Sequence, residues 1–212
     1  MSDHTDLSEL VLRERAARNH AQWDALRGCF HPDSLVITSW FEGTGPEFVD
    51  VSVKRYRPGN SIINRLSPPV VHLAGESAGR DRALVELPST TIRWFPIDGV
   101  EVELTSYMLL VYRAERRDGV WRILQLNAIN EADTLFPAIP GDVPKIDREL
   151  LAGFRRSYRF LSLFHTLHGE PVKDDLPGLD DRDSVDSLYS AAFGWLESGR
   201  GGSADPSAPH SN

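Results

Sequence analysis

The side chains best suited to moving a proton or polarising a carbonyl in this chain lie inside apolar segments. Glu86 sits within Arg82–Phe95 and Glu103 within Val100–Ala114, two stretches of alternating pattern, so each is a mid-strand carboxylate that could serve as a general acid or base. Each could equally pair with Arg93 or Arg122 on a solvated or subunit-facing surface. His72 interrupts the apolar run Val70-Val71-His72-Leu73, and His20 closes the first helical segment. Both imidazoles suit proton transfer near neutrality. His72 could face solvent instead, and His20 could simply bond the last carbonyls of its helix. Tyr107 offers a phenolic donor for a ligand carbonyl. Trp40, Phe41, Trp94 and Phe95 offer aromatic surface for a hydrophobic ligand, although any one of them could be plain core.

Other chemistries find little support. The chain contains no His-Glu-x-x-His, no Cys-x-x-Cys and no Gly-x-x-x-x-Gly-Lys-Ser/Thr. His165 and His168 have helical i, i+3 spacing but no third ligand stands out, so they read as helix surface. No metal and no cofactor are therefore expected. Cys29, the one cysteine, reads as a buried structural thiol and cannot form an internal disulfide. Lys and Arg number 23 against 31 Asp and Glu, a net charge of −8 over 212 residues, which disfavours nucleic acid as a partner. Apolar runs such as Met108–Tyr112 fall far short of the ~20 residues a spanning helix needs, and the first residues are polar and acidic. The expectation is a cytoplasmic protein with no membrane partner.

Periodicity supplies the elements that must hold these groups. Leu7, Leu10, Val11, Glu14, Ala17 and Arg18 follow helical spacing, and Ala21–Phe30 reads as a second helix broken by His31-Pro32-Asp33. Leu35–Phe41 reads as a strand and Pro46–Arg55 as a short helix begun by proline. From about Ser61 to Glu131 the period becomes two. Arg82–Phe95, Val100–Ala114 and Val120–Asn130 are strands joined by turns containing Asp98-Gly99 and Asp118-Gly119. Within the middle strand, Val100, Val102, Leu104, Met108 and Leu110 share one face, and Glu101, Glu103, Thr105 and Tyr107 share the other. This is an α+β plan: a curved antiparallel sheet wrapped around helices. Residues 143–197 return to helical pattern as an extension packed on the sheet domain of residues 1–142, and the Arg155-Arg156-Ser157-Tyr158-Arg159 face is expected to pair with the acidic Asp174–Asp183 connector. Residues 198–212 are Gly-, Ser- and Pro-rich and read as a disordered tail.

Several local sequences occur together: Gln22-Trp23-Asp24-Ala25-Leu26, Cys29-Phe30-His31-Pro32-Asp33, Gly43-Thr44-Gly45-Pro46-Glu47-Phe48-Val49, Asp81-Arg82-Ala83 and Gly119-Val120-Trp121-Arg122-Ile123. Over roughly residues 5–140 this series resembles the SnoaL-like branch of the nuclear transport factor two-like superfamily. The resemblance implies a cone, in which a strongly bent antiparallel sheet is closed by N-terminal helices around a deep pocket for a hydrophobic small molecule. It also implies a homodimer formed through the outer sheet face. Family members include dehydratases, ketosteroid isomerases, epoxide hydrolases and polyketide cyclases, alongside non-catalytic binders and assembly subunits.

The resemblance also locates a departure. Dehydratase-like relatives place an Asp four residues before the Trp of Trp-Asp-Ala-Leu and a partnering His after the third helix; here these positions hold Asn19 and Asn64. A last-strand Arg of some relatives falls at Leu126, beside Asn127, and Glu14 falls where some relatives place a pocket tyrosine. A carboxylate orients an imidazole and stabilises its cation, and an asparagine does neither. Amides can still donate to a developing oxyanion, or they can cap helices and hold turns. The expected catalytic set is Asn19, His20, Asn64, Glu86 and Tyr107, with Glu14, Trp40, His72, Trp94, Glu103 and Asn127 contacting ligand. A cofactor-independent lyase, isomerase or cyclase and a non-catalytic binding or assembly protein both fit these residues.

Overall fold

Helix α1 (Asp3–Asn19) begins at Ser2, whose side chain caps Thr5 N, and buries Leu7, Leu10, Val11, Glu14 and Ala17 along one face. The computed structural model describes residues 2–57, 62–75 and 81–198. Helix α2 (Trp23–Gly28) is shorter than its apolar spacing suggests, because strand β1 (Phe30–Ile37) already starts at Phe30. The expected helix break at His31-Pro32 therefore lies inside a strand. Pro32 is tolerated there because the pairing of β1 with β7 shifts register between Phe30 and Leu35, so no ladder donor is needed at that point. Strand β2 (Glu42–Thr44) leads into α3 (Gly45–Arg55), which starts with a capping box between Thr44 and Glu47 and carries Pro46 in its first turn. A Cβ at Gly45 would lie 2.4 Å from Ser34 Oγ and 2.6 Å from Phe30 Cβ, so this close approach of α3 to β1 requires glycine.

Five further strands follow: β3 (Ile62–Leu66), β4 (Val70–Leu73), β5 (Arg82–Ile97), β6 (Val100–Arg117) and β7 (Val120–Pro137). The sheet order is β2-β1-β7-β6-β5-β3, with β4 also paired to β5. The two long turns are built as expected, with positive φ at Asp98 and Gly99 (47° and 80°) and at Asp118 and Gly119 (52° and 77°). The α+β plan stands with one correction: β1 runs parallel to β7, so the sheet is mixed and not wholly antiparallel. Strand β7 also continues past Asn130 to Pro137.

Cross-strand partners share a face, and register thereby separates two sides of the sheet. On the inner side Val85 and Leu87 of β5 oppose Tyr112 and Leu110 of β6, and these join the core under α1, α2 and α3 with Leu26, Phe48 and Leu126. Farther along the same side, Phe95 opposes Val102, and both belong to a second core with Leu161. On the outer side Leu84, Val111 and Ile129 form a third cluster with Val185, Ala192 and Leu196.

The partners of these last two clusters come from the C-terminal extension. Its first apolar stripe, Leu150, Leu151, Phe154, Tyr158, Leu161 and Phe164, forms no single helix. It is divided into α4 (Arg148–Ala152), a 3₁₀ turn (Arg156–Tyr158) and α5 (Arg159–Leu167). Arg155 is held extended where it pairs with Asp180 at 2.6 Å, and Asp133 accepts from Leu161 N at 2.8 Å to start α5. The expected pairing of the basic cluster with the acidic connector is thus present at Arg155. Helix α6 (Arg182–Glu197) lies on the outer face. It covers part of the surface through which a homodimer was expected, while Tyr107 and Phe136 remain 42% and 63% exposed. Of residues 198–212, expected as a disordered tail, Ser198 is described, its Oγ donating to Trp195 O at 3.1 Å, and residues 199–212 lie outside the described residues.

Candidate functional site

Register places four polar residues in one line across the inner face. Asn64 of β3 opposes Thr91 of β5, Thr91 opposes Ser106 of β6, and Ser106 opposes Asp133 of β7. The rung lies between the two inner apolar clusters. At its β3 end, Asn64 Nδ2 donates to Asn19 Oδ1 at 2.7 Å, and Thr91 Oγ1 donates to Asn64 Oδ1 at 2.8 Å. The pair that the family resemblance points to is therefore in contact, as two amides without charge. Ser106 Oγ and Asp133 Oδ1 are buried with no hydrogen-bond partner among the described residues. Burial pushes the Asp133 carboxyl up to about 6, against the pull of its backbone donors.

A second group of side chains surrounds Trp40, which sits between β1 and β2. The Arg18 guanidinium lies 4.9 Å from the Trp40 ring centroid and that of Arg55 lies 5.0 Å from it, so two cations stack on one indole. Arg55 pairs with Glu170, whose Oε2 lies 2.6 Å from His165 Nδ1. With its proton on Nδ1, His165 donates to Glu170 and leaves Nε2 as an acceptor facing Ser39 Oγ at 3.4 Å, a long contact. His165 is 3% exposed. Burial holds its imidazole below the ordinary value despite Glu170. Burial alone would raise the Glu170 carboxyl, but His165 and Arg55 together bring it below the usual carboxylate range. Arg93 stands two residues beyond Thr91 on the same face of β5, its guanidinium 4.5 Å from the Phe164 ring. Burial pushes Arg93 down to about 10, and burial with the nearby Arg15 pushes Arg18 down to about 9.

Closer to the α1 core, Glu14 is wholly buried. It pairs with Arg15 through both carboxylate oxygens and accepts from Tyr112 Oη at 3.1 Å. Burial raises the Tyr112 hydroxyl well above its ordinary value. These three groups satisfy one another, so Glu14 is positioned as an internal ion-pair partner.

A family model described as SnoaL-like domain matches residues 1–127. This chain belongs to the SnoaL-like domain family. An uncharacterised protein of Emericella nidulans is 28% identical over 213 residues, covering 92% of this chain and 88% of that one. Pea pathogenicity protein 2 of Fusarium vanettenii is 25% identical over 208 residues, with the same coverage of 92% and 88%. Among solved structures, a hexachlorocyclohexane dehydrochlorinase LinA of type 2 superposes with a TM-score of 0.54 at 18% identity, over 67% of this chain and 94% of that one. The LinA type 3 enzyme of Novosphingobium barchaimii gives 0.51 at 15% identity, over 68% and 93%. At such identity these two establish the fold, which is of the nuclear transport factor two-like type. The SnoaL-like match ends at residue 127, so Asp133, His165 and Glu170 all lie beyond it.

Within this SnoaL-like frame the expected site residues divide by sheet face. Asn19, Asn64, Trp40 and Glu14 lie on the inner side. Glu86 opposes Val111 and His72 opposes Leu84, which puts both on the outer side. There His72 Nε2 lies 2.8 Å from Glu86 Oε1, and Glu86 Oε2 accepts from Tyr189 Oη of α6 at 2.6 Å. Tyr107 and Glu103, partnered with Thr90 and Trp94, are also outward, and Glu103 accepts from Thr105. Asn127 opposes Val111 and shares the outer side; its Oδ1 is buried without a partner among the described residues. His20 is exposed at the end of α1. The structure thus brings Asn19 and Asn64 together, and it does not bring Glu86, Tyr107, Glu103, His72, Trp94, Asn127 or His20 to them.

Arg18, Arg55, Arg93, Asp133, His165 and Glu170 enter the site without having been singled out for it. Arg93 carried a legible signal, since it shares the parity of Leu87 and Phe95. His165, expected on the helix surface, is buried because α5 docks against the sheet. Cys29, expected as a buried thiol, is buried, and its Sγ lies 3.3 Å from Ala25 O; burial pushes it up to about 11.

Proposed function

We propose that this SnoaL-like protein binds a hydrophobic small molecule against the inner sheet face around Trp40, and acts as a cofactor-independent lyase, isomerase or cyclase. Asn19 and Asn64 hold and polarise a ligand oxygen. His165, oriented by Glu170, moves the proton. One observation carries the reading: the 2.6 Å contact between His165 Nδ1 and Glu170, which leaves Nε2 as an acceptor beside Ser39. A carboxylate so placed fixes the tautomer and stabilises the imidazolium that proton abstraction creates. The role that Asn19 and Asn64 cannot perform is thereby supplied from the extension. The reading is tested by deuterium uptake at the carbon next to the carbonyl in a panel of aromatic ketones, followed by mass spectrometry. The expected result is uptake above buffer that falls by roughly 10²-fold or more in His165→Ala. No uptake, or uptake indifferent to that substitution, removes the catalytic reading.

A second reading rests on a different observation. The Asn19–Asn64–Thr91 chain is uncharged and its amides already bond one another, which suits a protein that holds a ligand without converting it. Self-association under either reading uses the exposed part of the outer face near Tyr107 and Phe136, because α6 occupies the rest. No helix among the described residues is long and apolar enough to cross a membrane.

A further inference from the structure

The guanidiniums of Arg18 and Arg55 lie on Trp40, that of Arg93 lies on Phe164, the residue before His165, and Glu170 faces Arg55. From α1 come Glu14, Arg15 and Arg18; from α3, Arg55; from β5, Arg93; from the extension, His165 and Glu170. Glu14 and Arg15 neutralise each other. Glu170 is committed to Arg55 and His165. Asn19, Asn64 and Thr91 carry no charge. Arg18 and Arg93 form no ion pair among the described residues and lie on aromatic faces, Trp40 and Phe48 for one and Phe164 for the other. Arg93 Nε is buried with no hydrogen-bond partner among the described residues. The Arg18 guanidinium feels the positive charge of Arg93, while Arg93 feels that of Arg55 and the countering charge of Glu170. Both side chains are half-buried, and a guanidinium partly withdrawn from water is stabilised by a counter-charge, because it does not lose its proton at neutral pH. The shape of the surroundings says what brings that counter-charge. A planar guanidinium fork matches a carboxylate, and the flanking rings present flat apolar faces.

We propose that the inner site takes an organic anion: a planar, hydrophobic carboxylate whose carboxyl group is bound by Arg18 and Arg93 while its ring system lies against Trp40. This names the ligand class for the site of the proposed function and rests on that reading only for the location of the ligand. It requires no turnover.

The test compares 2-naphthoate with its neutral isostere 2-naphthamide on the full chain, by calorimetry and by quenching of tryptophan fluorescence. Hydrogen bonds to charged groups predict at least about tenfold tighter binding of the naphthoate. In Arg18→Gln and in Arg93→Gln the preference shrinks toward unity, whereas Arg18→Lys, which keeps the charge and loses the planar fork, retains part of it. Equal binding of the two probes by the wild type overturns the anion inference and leaves the ligand site standing. A preference that survives both Gln substitutions overturns the assignment to these arginines. Binding of neither probe at millimolar concentration overturns the inference outright. The deuterium experiment is unaffected by any of these outcomes, so failure of catalysis and failure of anion recognition are separately visible.

Discussion

Asn64 donates a hydrogen bond to Asn19 across 2.7 Å, joining the last residue of α1 to strand β3 at the two positions where the family resemblance calls for an imidazole and a carboxylate. The scaffold therefore keeps the contact and changes the chemistry. What an Asp–His pair would do by moving a proton, two amides can do only by holding an oxygen.

This contact predicts the behaviour of a rebuilt pair. In Asn64→His alone, the new imidazole faces a neutral amide. Adding Asn19→Asp places a carboxylate within hydrogen-bond reach, which favours the protonated ring. The imidazole introduced at position 64 then titrates about one pH unit higher or more in the double variant than in the single one. Histidine ring NMR resonances followed against pH measure both midpoints.

His165 makes the fold sensitive to acid. Burial holds its folded-state value below the ordinary 6.5, so between those two values the unfolded chain binds a proton that the folded chain does not. Stability therefore falls as pH drops through that window. Calorimetric Tm values at about pH 7 and about pH 5.5 check this. Asp133 acts in the opposite sense over part of this interval, so the comparison is between variants: the wild-type Tm falls further, or rises less, than that of His165→Gln, which keeps an amide donor for Glu170.

Asp133 has the opposite sign. Its carboxyl is raised from 3.8 to about 6, so the folded chain binds the extra proton between those values and stability declines as pH rises through them. At neutral pH the buried carboxylate is a standing destabilisation. Asp133→Asn keeps an acceptor for Leu161 N and removes the charge, so it raises Tm near pH 7.5 by roughly 2–4 °C and has little effect near pH 4.

The docking of α5 rests on apolar contact. Leu161 is 4% exposed within the cluster of Phe95, Val102 and Leu104, whereas Leu167 at the end of the same helix is 50% exposed. Leu161→Ala costs about 2–5 kcal/mol in urea unfolding. Leu167→Ala stays within about 0.5 kcal/mol.

The outer face yields a prediction about assembly. Phe136 is 63% exposed beside the sheet area that α6 leaves uncovered. If a second copy meets the chain there, Phe136→Glu shifts the species measured by light scattering toward monomer while its circular dichroism stays native. A mass unchanged by the substitution moves any self-association elsewhere.

Much of the fold was legible in local chemistry. Pro46 at a helix start and the two Asp-Gly turns fixed their elements, because each depends on the conformation of one or two residues. Asn19 and Asn64 were legible as a pair through their distance from Trp23 and from the third helix. The side-chain directions in β7 were not. Register shifts between Tyr107 and Met108 and between Arg113 and Ala114 alter which residues of β7 face inward. Asp133 lay past the point where alternation in the sequence ended. Asn127 looked suited to the interior and faces outward. Glu86 and Tyr107 were attractive as polar residues in strands, yet the period of two that identified the strands also sends them to the outer side. His165 and Glu170 depend on a helix docking against a sheet distant in sequence, which no local pattern encodes.

The central claim is that a small molecule is held on the inner face, between Trp40, Asn64 and His165. Native mass spectrometry of the full chain purified from its own cells tests this most directly. The wild type should carry a small organic adduct. Ser39→Trp, which puts a large ring against His165 Nε2, should lose it, and Glu86→Gln on the outer face should keep it. A wild-type chain with no adduct, or an adduct that survives Ser39→Trp and disappears in Glu86→Gln, would contradict the account.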